Sequence, residues 1–371
     1  MTGPRFTDLA SSLPASVPFV GPETQERAMG KPFKARMGAN ESVFGPSPKA
    51  IQAMCAEAAE TWKYGDPQSW DLRQALAAHL GVGMDNLVIG GGIDGLLSSL
   101  VRLTVAPGDA VVTSAGGYPT FNFHVTGYGG VLHTVPFRDD FEDPEALIEL
   151  ARQVRPKLIY IANPDNPMGS WHDAARMQAM IDAVPDGCLL ILDEAYIEFA
   201  PQGTAPVINP DDPRVIRMRT FSKAYGMAGA RIGYAIGTPA LISAFDKVRD
   251  HFGLARISQA GALAALKDQD WLAEVQSRVA TARDTISDIA RANGLTPLPS
   301  ATNFVSIDCG GDGAFARAVM TALIARGLFV RMPFAPPGDR CIRVSAGTPD
   351  NLALFGEELP KALQEARQTA L

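Results

Sequence analysis

The sequence predicts an α/β fold: a large domain with a seven-stranded, mainly parallel sheet covered by helices, followed by a smaller α+β C-terminal domain. From about residue 47, short apolar runs alternate with helical patterns, and this alternation is typical of parallel sheets. Most runs are continuous Val, Ile and Leu, as expected for strands buried on both faces. After about residue 250, long helical patterns and short strands replace the alternation, which indicates the second domain.

The predicted elements divide the chain into three segments. Residues 1–45 are rich in proline and glycine and are expected to form an ordered arm, with no helix before about residue 46, that contributes to the small domain and to a dimer. Residues 46–250 form the large domain and residues 251–371 the small one. Strands of the large domain are expected at 87–90, 110–113, 131–135, 158–162, 188–192, 215–219 and 232–236. Strands of the small domain are expected at 304–307, 328–331 and 342–345.

The composition argues against several classes of partner. The chain has 371 residues and a net charge of −7, which disfavours non-specific binding to nucleic acid or to anionic membranes. No stretch is apolar over the ~18 residues that a membrane helix needs, and the N-terminus does not resemble a secretory signal. The four cysteines are scattered without metal-ligand spacing. We therefore expect a cytoplasmic protein with no metal site.

The residues after each predicted strand are the first candidates for function, because ligands of open parallel sheets bind beyond the carboxyl ends of the strands. Asp193 follows the apolar run 188–192. A carboxylate placed there is costly to bury unless it has a cationic partner or several donors. The alternative interpretation is a helix cap or a surface acid.

A lysine flanked by hydroxyl groups follows the next strand. Thr220, Ser222 and Arg231 offer two neutral donors and a planar guanidinium group, a set that suits a phosphate dianion. Lys223, between them, is a candidate amine nucleophile. The alternative is an exposed turn with Arg231 in a surface ion pair.

Three further strand ends carry weaker signals. A glycine-rich turn at 90–95 precedes a helix, so its N–H groups are placed to bind an anion. The turn after 158–162 presents the amide of Asn166 between prolines. Tyr118 follows the strand 110–113, where an aromatic ring can lie on a ligand. A tight turn or a core residue explains each of these equally well when it is taken alone.

Taken together and in order, these motifs resemble a known family. The NPxNPxG, DEAY and SKxxGxxGxR elements, with the arm sequence at 37–41, are similar to those of the fold-type-I aminotransferases that depend on pyridoxal phosphate (PLP), and within them to the histidinol-phosphate aminotransferase branch. The resemblance covers nearly the whole chain. It implies PLP as cofactor. The implied substrates are an amino acid or amino-alcohol phosphate as amino donor, with histidinol phosphate the leading candidate, and an oxo acid, commonly 2-oxoglutarate.

The resemblance also implies a role for each candidate. Lys223 would bind PLP covalently, Asp193 would pair with the pyridine nitrogen, and Tyr196 would contact the ring oxygen. The remaining cofactor-binding residues would be Gly92, Ile93, Tyr118, Asn166, Thr220, Ser222 and Arg231, with Tyr64 reaching the phosphate from the neighbouring subunit of a homodimer. Arg343, Arg331 and Asn40 would contact the substrate. The alternative for Arg331 is a strand cap or an interface pair.

The sequence departs from the branch at several positions. The arm continues with Ser42 and Val43 rather than Asn-Pro, residue 19 is Phe19 where a tyrosine is expected, the glycine turn reads GGID, and the NPxNP turn ends in Met168-Gly169. These departures concern the substrate side. An aromatic or other amino-acid aminotransferase therefore stays open, as does a PLP-dependent decarboxylase on the same scaffold. Two other classes are disfavoured. A PLP-binding regulator would need a DNA-binding domain in front of the first helix, where only about 45 arm residues are predicted. A nicotinamide dehydrogenase would need the dinucleotide fingerprint, which is missing.

Overall fold

The computed structural model describes residues 3–15 and 20–369. The N-terminal arm contains α1 (Asp8–Ser12), α2 (Pro22–Met29) and β1 (Ala35–Arg36). Helix α2 begins with a proline and is followed by Gly30 in the left-handed conformation, which is the usual asymmetry of helix ends. The expectation of no helix before about residue 46 is therefore wrong. Such short helices contain too few turns to produce a visible apolar periodicity.

A seven-stranded sheet is the centre of the segment 46–250, as far as the chain is described. The elements of this segment are α3 (Pro48–Ala58), α4 (Trp70–Leu80), β2 (Leu87–Gly90), α5 (Gly92–Thr104), β3 (Ala110–Ser114), α6 (Pro119–Gly127), β4 (Val131–Val135), α7 (Pro144–Val154), β5 (Leu158–Ala162), α8 (Ala174–Asp182), β6 (Leu189–Asp193), β7 (Val215–Thr220), β8 (Gly233–Ile236) and α9 (Pro239–Ala244). The strand order is β2-β8-β7-β6-β5-β3-β4, and β8 runs antiparallel to both neighbours. The predicted sheet is confirmed.

The central strands separate two apolar layers. Ile159 and Ile161 of β5 pack on one side with residues of α7 and α8, whereas Tyr160 and Ala162 pack on the other side with α5 and α6. Ala162 is paired in register with Asp193 of β6. Because paired residues of neighbouring strands point to the same face, Asp193 shares the face of Tyr160. The alternation thus brings both polar groups to one place.

The C-terminal segment has its own small sheet. Its elements are α10 (Arg256–Lys267), α11 (Gln269–Ala292), β9 (Thr296–Pro297), β10 (Phe304–Asp308), α12 (Gly313–Ala325), β11 (Leu328–Phe329), β12 (Cys341–Ser345) and α13 (Pro349–Thr369). Strand β10 is antiparallel to β9 and β12, while β11 pairs in parallel with β1 of the arm. β11 ends at Phe329, short of the predicted residue 331, and Arg331 instead forms an isolated bridge with Arg343. The arm is thus tied to this segment.

Candidate active site

A cavity of about 730 Å³ opens at the carboxyl ends of β5, β6 and β7. The arm and the C-terminal segment complete its walls. Of the predicted residues, those that line it are Asn40, Ile93, Tyr118, Asn166, Asp193, Tyr196, Thr220, Ser222, Lys223, Arg231, Arg331 and Arg343. Its volume is in the usual range for a small-molecule site.

Lys223 lies between the arm and the sheet. Its Nζ donates a hydrogen bond to the main-chain oxygen of Asn40 at 3.2 Å and lies 5.5 Å from the ring centroid of Tyr196. Asn40 is buried, with a positive φ of 55°. Its side chain donates to the Tyr196 hydroxyl at 3.0 Å and accepts from Ser345 Oγ at 2.9 Å. These bonds hold the lysine and the tyrosine at one wall of the cavity.

Asp193, at the end of β6, is only 4% exposed. Its Oδ2 accepts from the hydroxyl of Tyr160 at 2.7 Å, and its Oδ1 accepts from the main-chain nitrogen of Ala195 at 2.9 Å. Burial raises the pKa of Asp193 to about 6, although these two donors oppose the rise. Tyr160 is not recognisable as a site residue from the sequence, because a tyrosine inside an apolar strand has the pattern of a core residue.

An anion cup, formed by Thr220, Ser222, Arg231 and the N-terminus of α5, lies beside Lys223. Thr220 Oγ1 and Ser222 Oγ are 3.0 Å apart, and Arg231 Nη1 donates to Ser222 Oγ at 3.3 Å. Gly92 begins α5 with a φ of 78°, and a Cβ at this position would lie 2.5 Å from Arg231 Nη2. The close approach and the backbone conformation both require glycine here. The helix N-terminus and the guanidinium group favour an anion.

Tyr118 forms the wall next to the anion cup. Its hydroxyl donates to Asp94 Oδ1 at 3.0 Å, and Asp94 Oδ2 is 4.0 Å from Arg231 Nη2. Burial, together with the nearby Asp94 charge, raises the pKa of Tyr118 above its ordinary value, so the hydroxyl stays protonated. In the sequence, Asp94 is notable only as part of the unusual GGID turn. The structure places it between the tyrosine and the arginine.

Two arginines occupy the opposite end of the cavity. Arg343 donates through Nη1 to Asn166 Oδ1 and through Nη2 to the main-chain oxygen of Gly38 at 3.1 Å. Its backbone is hydrogen-bonded in both directions to that of Arg331, whose Nη2 donates to the main-chain oxygen of Val20 at 2.7 Å. Burial lowers the pKa of Arg343 to about 10 and lowers that of Arg331 as well. This end of the cavity therefore suits anionic groups.

Comparison with known proteins identifies the family. The profile of the family described as "Aminotransferase class I and II" matches residues 34–359. The chain belongs to this aminotransferase family. Among curated relatives, histidinol-phosphate aminotransferase 1 of Mesorhizobium japonicum is 38% identical over 323 residues, 85% of this chain and 86% of the relative. The aromatic amino acid aminotransferase of Nocardia farcinica is 35% identical over 93% of this chain and 94% of its own length.

A solved structure resembles this aminotransferase over almost its full length. The histidinol-phosphate aminotransferase from Sinorhizobium meliloti, in complex with pyridoxal-5'-phosphate, has a TM-score of 0.95 and 52% identity, covering 98% of each chain. The predicted fold class, the resemblance and the enzyme class are thereby confirmed. The predicted cofactor is the one bound in that structure.

Two predicted residues of this aminotransferase are not among those that line the cavity. The side chain of Tyr64 is exposed, and its ring centroid lies 4.8 Å from that of Phe252. Gly92 is behind Arg231 rather than in the lining. Phe19, the expected departure in the arm, is outside the described residues.

The described residues contain neither a cluster suited to a metal ion nor a membrane-spanning helix. Within 3–15 and 20–369, no group of three or more His, Cys, Asp and Glu side chains is arranged to hold a metal ion. In the same part of the chain, no helix is long and apolar enough to cross a membrane.

Proposed function

We propose that this aminotransferase uses PLP to move an amino group between histidinol phosphate and an oxo acid such as 2-oxoglutarate. The cofactor assignment is carried by one observation: Lys223, Asp193 and the anion cup share a single cavity. The substrate assignment is supported by the relatives named for histidinol phosphate and by the two arginines at the far end of the cavity.

The residues present fit this cofactor. The anion cup offers hydroxyl groups, a guanidinium group and the N–H groups of Gly92 and Ile93, a donor set that suits a phosphate dianion. Asp193 is a buried carboxyl group with a raised pKa, and a protonated pyridine nitrogen would give it the cationic partner that it lacks among the described residues. When bound, PLP supplies the electron sink that stabilises negative charge at the substrate α-carbon.

The chain's own groups then have distinct tasks. Lys223 would hold the cofactor through its amine and, once the amino donor has displaced it, that free amine would accept the proton of the substrate α-carbon. Asn166 and Tyr196 would hydrogen-bond the ring oxygen of the cofactor, and Tyr118 would lie against its ring. The hydrogen bond of Lys223 to the carbonyl of Asn40 keeps its Nζ within the cavity. Proton transfer needs such fixed placement of the base.

The arginines define the substrate end. Arg343 binds a carboxyl or phosphate group through its planar guanidinium, and Arg331 binds a second anionic group. Asn40 lies between this end and the lysine, since it contacts Lys223 and Ser345. Two guanidinium groups in one cavity favour substrates with a phosphate or with a second carboxylate.

An aromatic amino acid is the second candidate for the amino donor. Phe334 lines the cavity close to the arginines and is 59% exposed, so an apolar ring is available to pack against an aromatic side chain. The relative from Nocardia farcinica is named for aromatic amino acids and is 35% identical, against 38% for the histidinol-phosphate enzyme of Mesorhizobium japonicum and 52% for that of Sinorhizobium meliloti.

We further propose that two copies of the chain form a homodimer in which Tyr64 reaches the anion cup of the other copy. The ring of Tyr64 packs against that of Phe252, and both side chains are more than half exposed, as are Trp62 and Trp70 nearby in the sequence. Such a concentration of exposed apolar surface is typical of an interface. The cytoplasmic location and the division into an arm and two domains at residues 46–250 and 251–371 remain predictions.

A titration of the visible absorption spectrum tests the cofactor and the substrate together. Purified protein loaded with PLP is titrated separately with histidinol phosphate, L-glutamate and L-phenylalanine, with Lys223→Ala as the control. We expect a visible band that histidinol phosphate and glutamate both remove and that the control lacks. A response to phenylalanine and glutamate, but not to histidinol phosphate, would favour the second candidate. A wild-type protein without any band would overturn the cofactor assignment.

A further inference from the structure

Two buried carboxyl groups face each other just outside the cavity. Glu142 and Asp165 are each 2% exposed and lie within hydrogen-bond reach of one another. Neither lines the cavity, and the proposed chemistry uses neither. Among the described residues, no N–H or O–H group donates to Asp165 Oδ1. Because two ionised carboxylates cannot share such a place, a proton is needed between them.

Glu142 connects this pair to the ends of two strands. Its Oε1 accepts from the main-chain nitrogen of Ala162, the last residue of β5, at 3.0 Å, and its Oε2 accepts from Ser114 Oγ, at the end of β3, at 2.5 Å. Its main-chain oxygen lies 2.8 Å from His172 Nε2. Burial raises the pKa of Glu142 to about 7. Glu142 is therefore hydrogen-bonded to the carboxyl ends of two internal strands, β3 and β5.

Asp165 organises the turn that follows β5. Its Oδ2 accepts from the main-chain nitrogen of Met168 at 2.8 Å, and its own main-chain nitrogen donates to the oxygen of Ser170 at 2.8 Å. Burial and the adjacent Glu142 charge raise the pKa of Asp165 well above its usual range. A protonated Asp165 would donate to Glu142, and this hydrogen bond would link the turn to the sheet.

The next residue of this turn belongs to the active site. Asn166 lines the cavity, and its Oδ1 accepts the hydrogen bond of Arg343 Nη1. The amide of Asn166 is thus one residue away from the link between the carboxyl groups. Without that link, the turn keeps its internal hydrogen bonds but loses its side-chain connection to the ends of β3 and β5.

We propose that Glu142 and Asp165 are positioning residues, whose mutual hydrogen bond fixes the turn at 163–170 and so orients Asn166 toward Arg343 and the bound cofactor. Their effect on the cofactor and on substrate rests on the proposed function. Their effect on the contact between Asn166 and Arg343 does not. An apolar pair of the same volume would fill the space at a lower desolvation cost, which argues that the polar link serves the orientation of the turn.

Two substitutions at one position separate the link from the turn. Asp165→Asn keeps an acceptor for the Met168 nitrogen and gains an N–H donor for Glu142. Asp165→Ser keeps a hydroxyl acceptor for the Met168 nitrogen but is too short to reach Glu142. The test is therefore the difference between these two folded variants. Circular dichroism and thermal unfolding establish that both fold.

The first measurement is a crystal structure of each variant without ligand. We expect the contact between Asn166 and Arg343 to persist in Asp165→Asn and to be lost in Asp165→Ser. This result does not depend on the cofactor. If the contact is the same in both variants, the proposal is wrong and the pair has only a structural role.

The second measurement is spectroscopic, on protein loaded with PLP. We expect the pH midpoint of the visible band to shift in Asp165→Ser and to stay at the wild-type value in Asp165→Asn. Binding of the unreactive dicarboxylate maleate, followed by the same band, should weaken roughly tenfold or more in the serine variant alone. A lower unfolding temperature with unchanged spectrum and maleate binding would overturn the positioning role. A missing band in the wild type would instead count against the proposed function.

Discussion

Asn40 of the N-terminal arm donates a hydrogen bond to the hydroxyl of Tyr196 at 3.0 Å, across 156 residues of sequence. The same asparagine accepts a hydrogen bond from Lys223 through its main-chain oxygen. One arm residue therefore fixes two groups that the proposed mechanism uses. The arm is part of the site, although the sequence around it is irregular.

Replacing Asn40 should separate its side-chain role from its backbone role. Asn40→Ala removes the amide and places alanine, which adopts a positive φ less readily than asparagine, in that backbone conformation. We therefore expect a loss of about 2 kcal/mol in the free energy of unfolding. Asn40→Gly removes the amide but relieves the backbone, so about half of that loss is expected. Urea unfolding measures both. Equal losses would show that the backbone conformation contributes nothing.

Gly92→Ala should weaken cofactor binding. A Cβ at Gly92 would lie 2.5 Å from Arg231 Nη2 and would displace the guanidinium group from the anion cup. We expect the dissociation constant for PLP to increase roughly tenfold or more, because a charge-assisted hydrogen bond is lost. The matched control is Gly91→Ala, because Gly91 has a φ of −71° and open space where its Cβ would be. Similar affinities for the two variants would contradict the close approach.

Asp193→Asn should preserve the fold and remove most of the activity. The amide cannot supply the negative charge for the pyridine nitrogen, and losing a buried charged bond of about 3 kcal/mol corresponds to a rate loss of roughly a hundredfold. Tyr160→Phe removes only the hydroxyl donor to Asp193 and should give a much smaller loss. Single-turnover rates of the loaded proteins compare the two. An Asp193→Asn rate close to wild type would refute the charge pairing.

Glu198 should make the stability depend on pH in a direction that can be worked out. Burial raises its pKa to about 7, so between pH 4.5 and 7 the folded chain binds a proton that the unfolded chain has released. The stability from this group is present at low pH and is lost as the pH rises through 7. Glu198→Gln does not titrate at this position, so its stability relative to wild type should increase as the pH rises from 4.5 to 8. We expect an increase of roughly 2 kcal/mol, less than the full pKa shift would give, because the Glu198 side chain is part-exposed. Urea unfolding of both proteins at both pH values measures this difference. If the free energies of unfolding of wild type and variant change equally with pH, Glu198 does not cause the dependence.

Mixed dimers test whether Tyr64 acts across the interface. In a dimer of one Tyr64→Phe subunit and one Lys223→Ala subunit, the intact lysine would face the intact Tyr64 of the other copy. We therefore expect that site to bind PLP with wild-type affinity, whereas the Tyr64→Phe homodimer binds it more weakly. Weak binding in both assemblies would place Tyr64 in its own subunit's site.

The sheet and the cofactor side of the cavity were predictable because burial leaves a strong trace in sequence. The run 158–162 is apolar throughout, so the strand was located to the residue. Asp193 and Lys223 stood out because polar residues directly follow such runs. The prediction had Asp193 just beyond its strand, and the structure includes it in β6.

The missing parts depend on relationships between segments. Tyr160 became recognisable only when the register of β5 against β6 placed it beside Asp193. The facing of Glu142 and Asp165 depends in the same way on how the turn folds onto the sheet. Helices α1 and α2 were missed because so few residues carry no periodic pattern.

The bridge between Arg331 and Arg343 places both guanidinium groups on one late stretch of the chain, whereas the anion cup and Asp193 come from residues 92–231. A gene that duplicates can therefore vary the late stretch while it inherits the earlier one unchanged. Relatives named for histidinol phosphate and for aromatic amino acids, 38% and 35% identical respectively, both align with more than four fifths of this chain. With the arginines binding substrate as proposed, this is the pattern expected when new substrates arise by altering a separate part of one ancestral site.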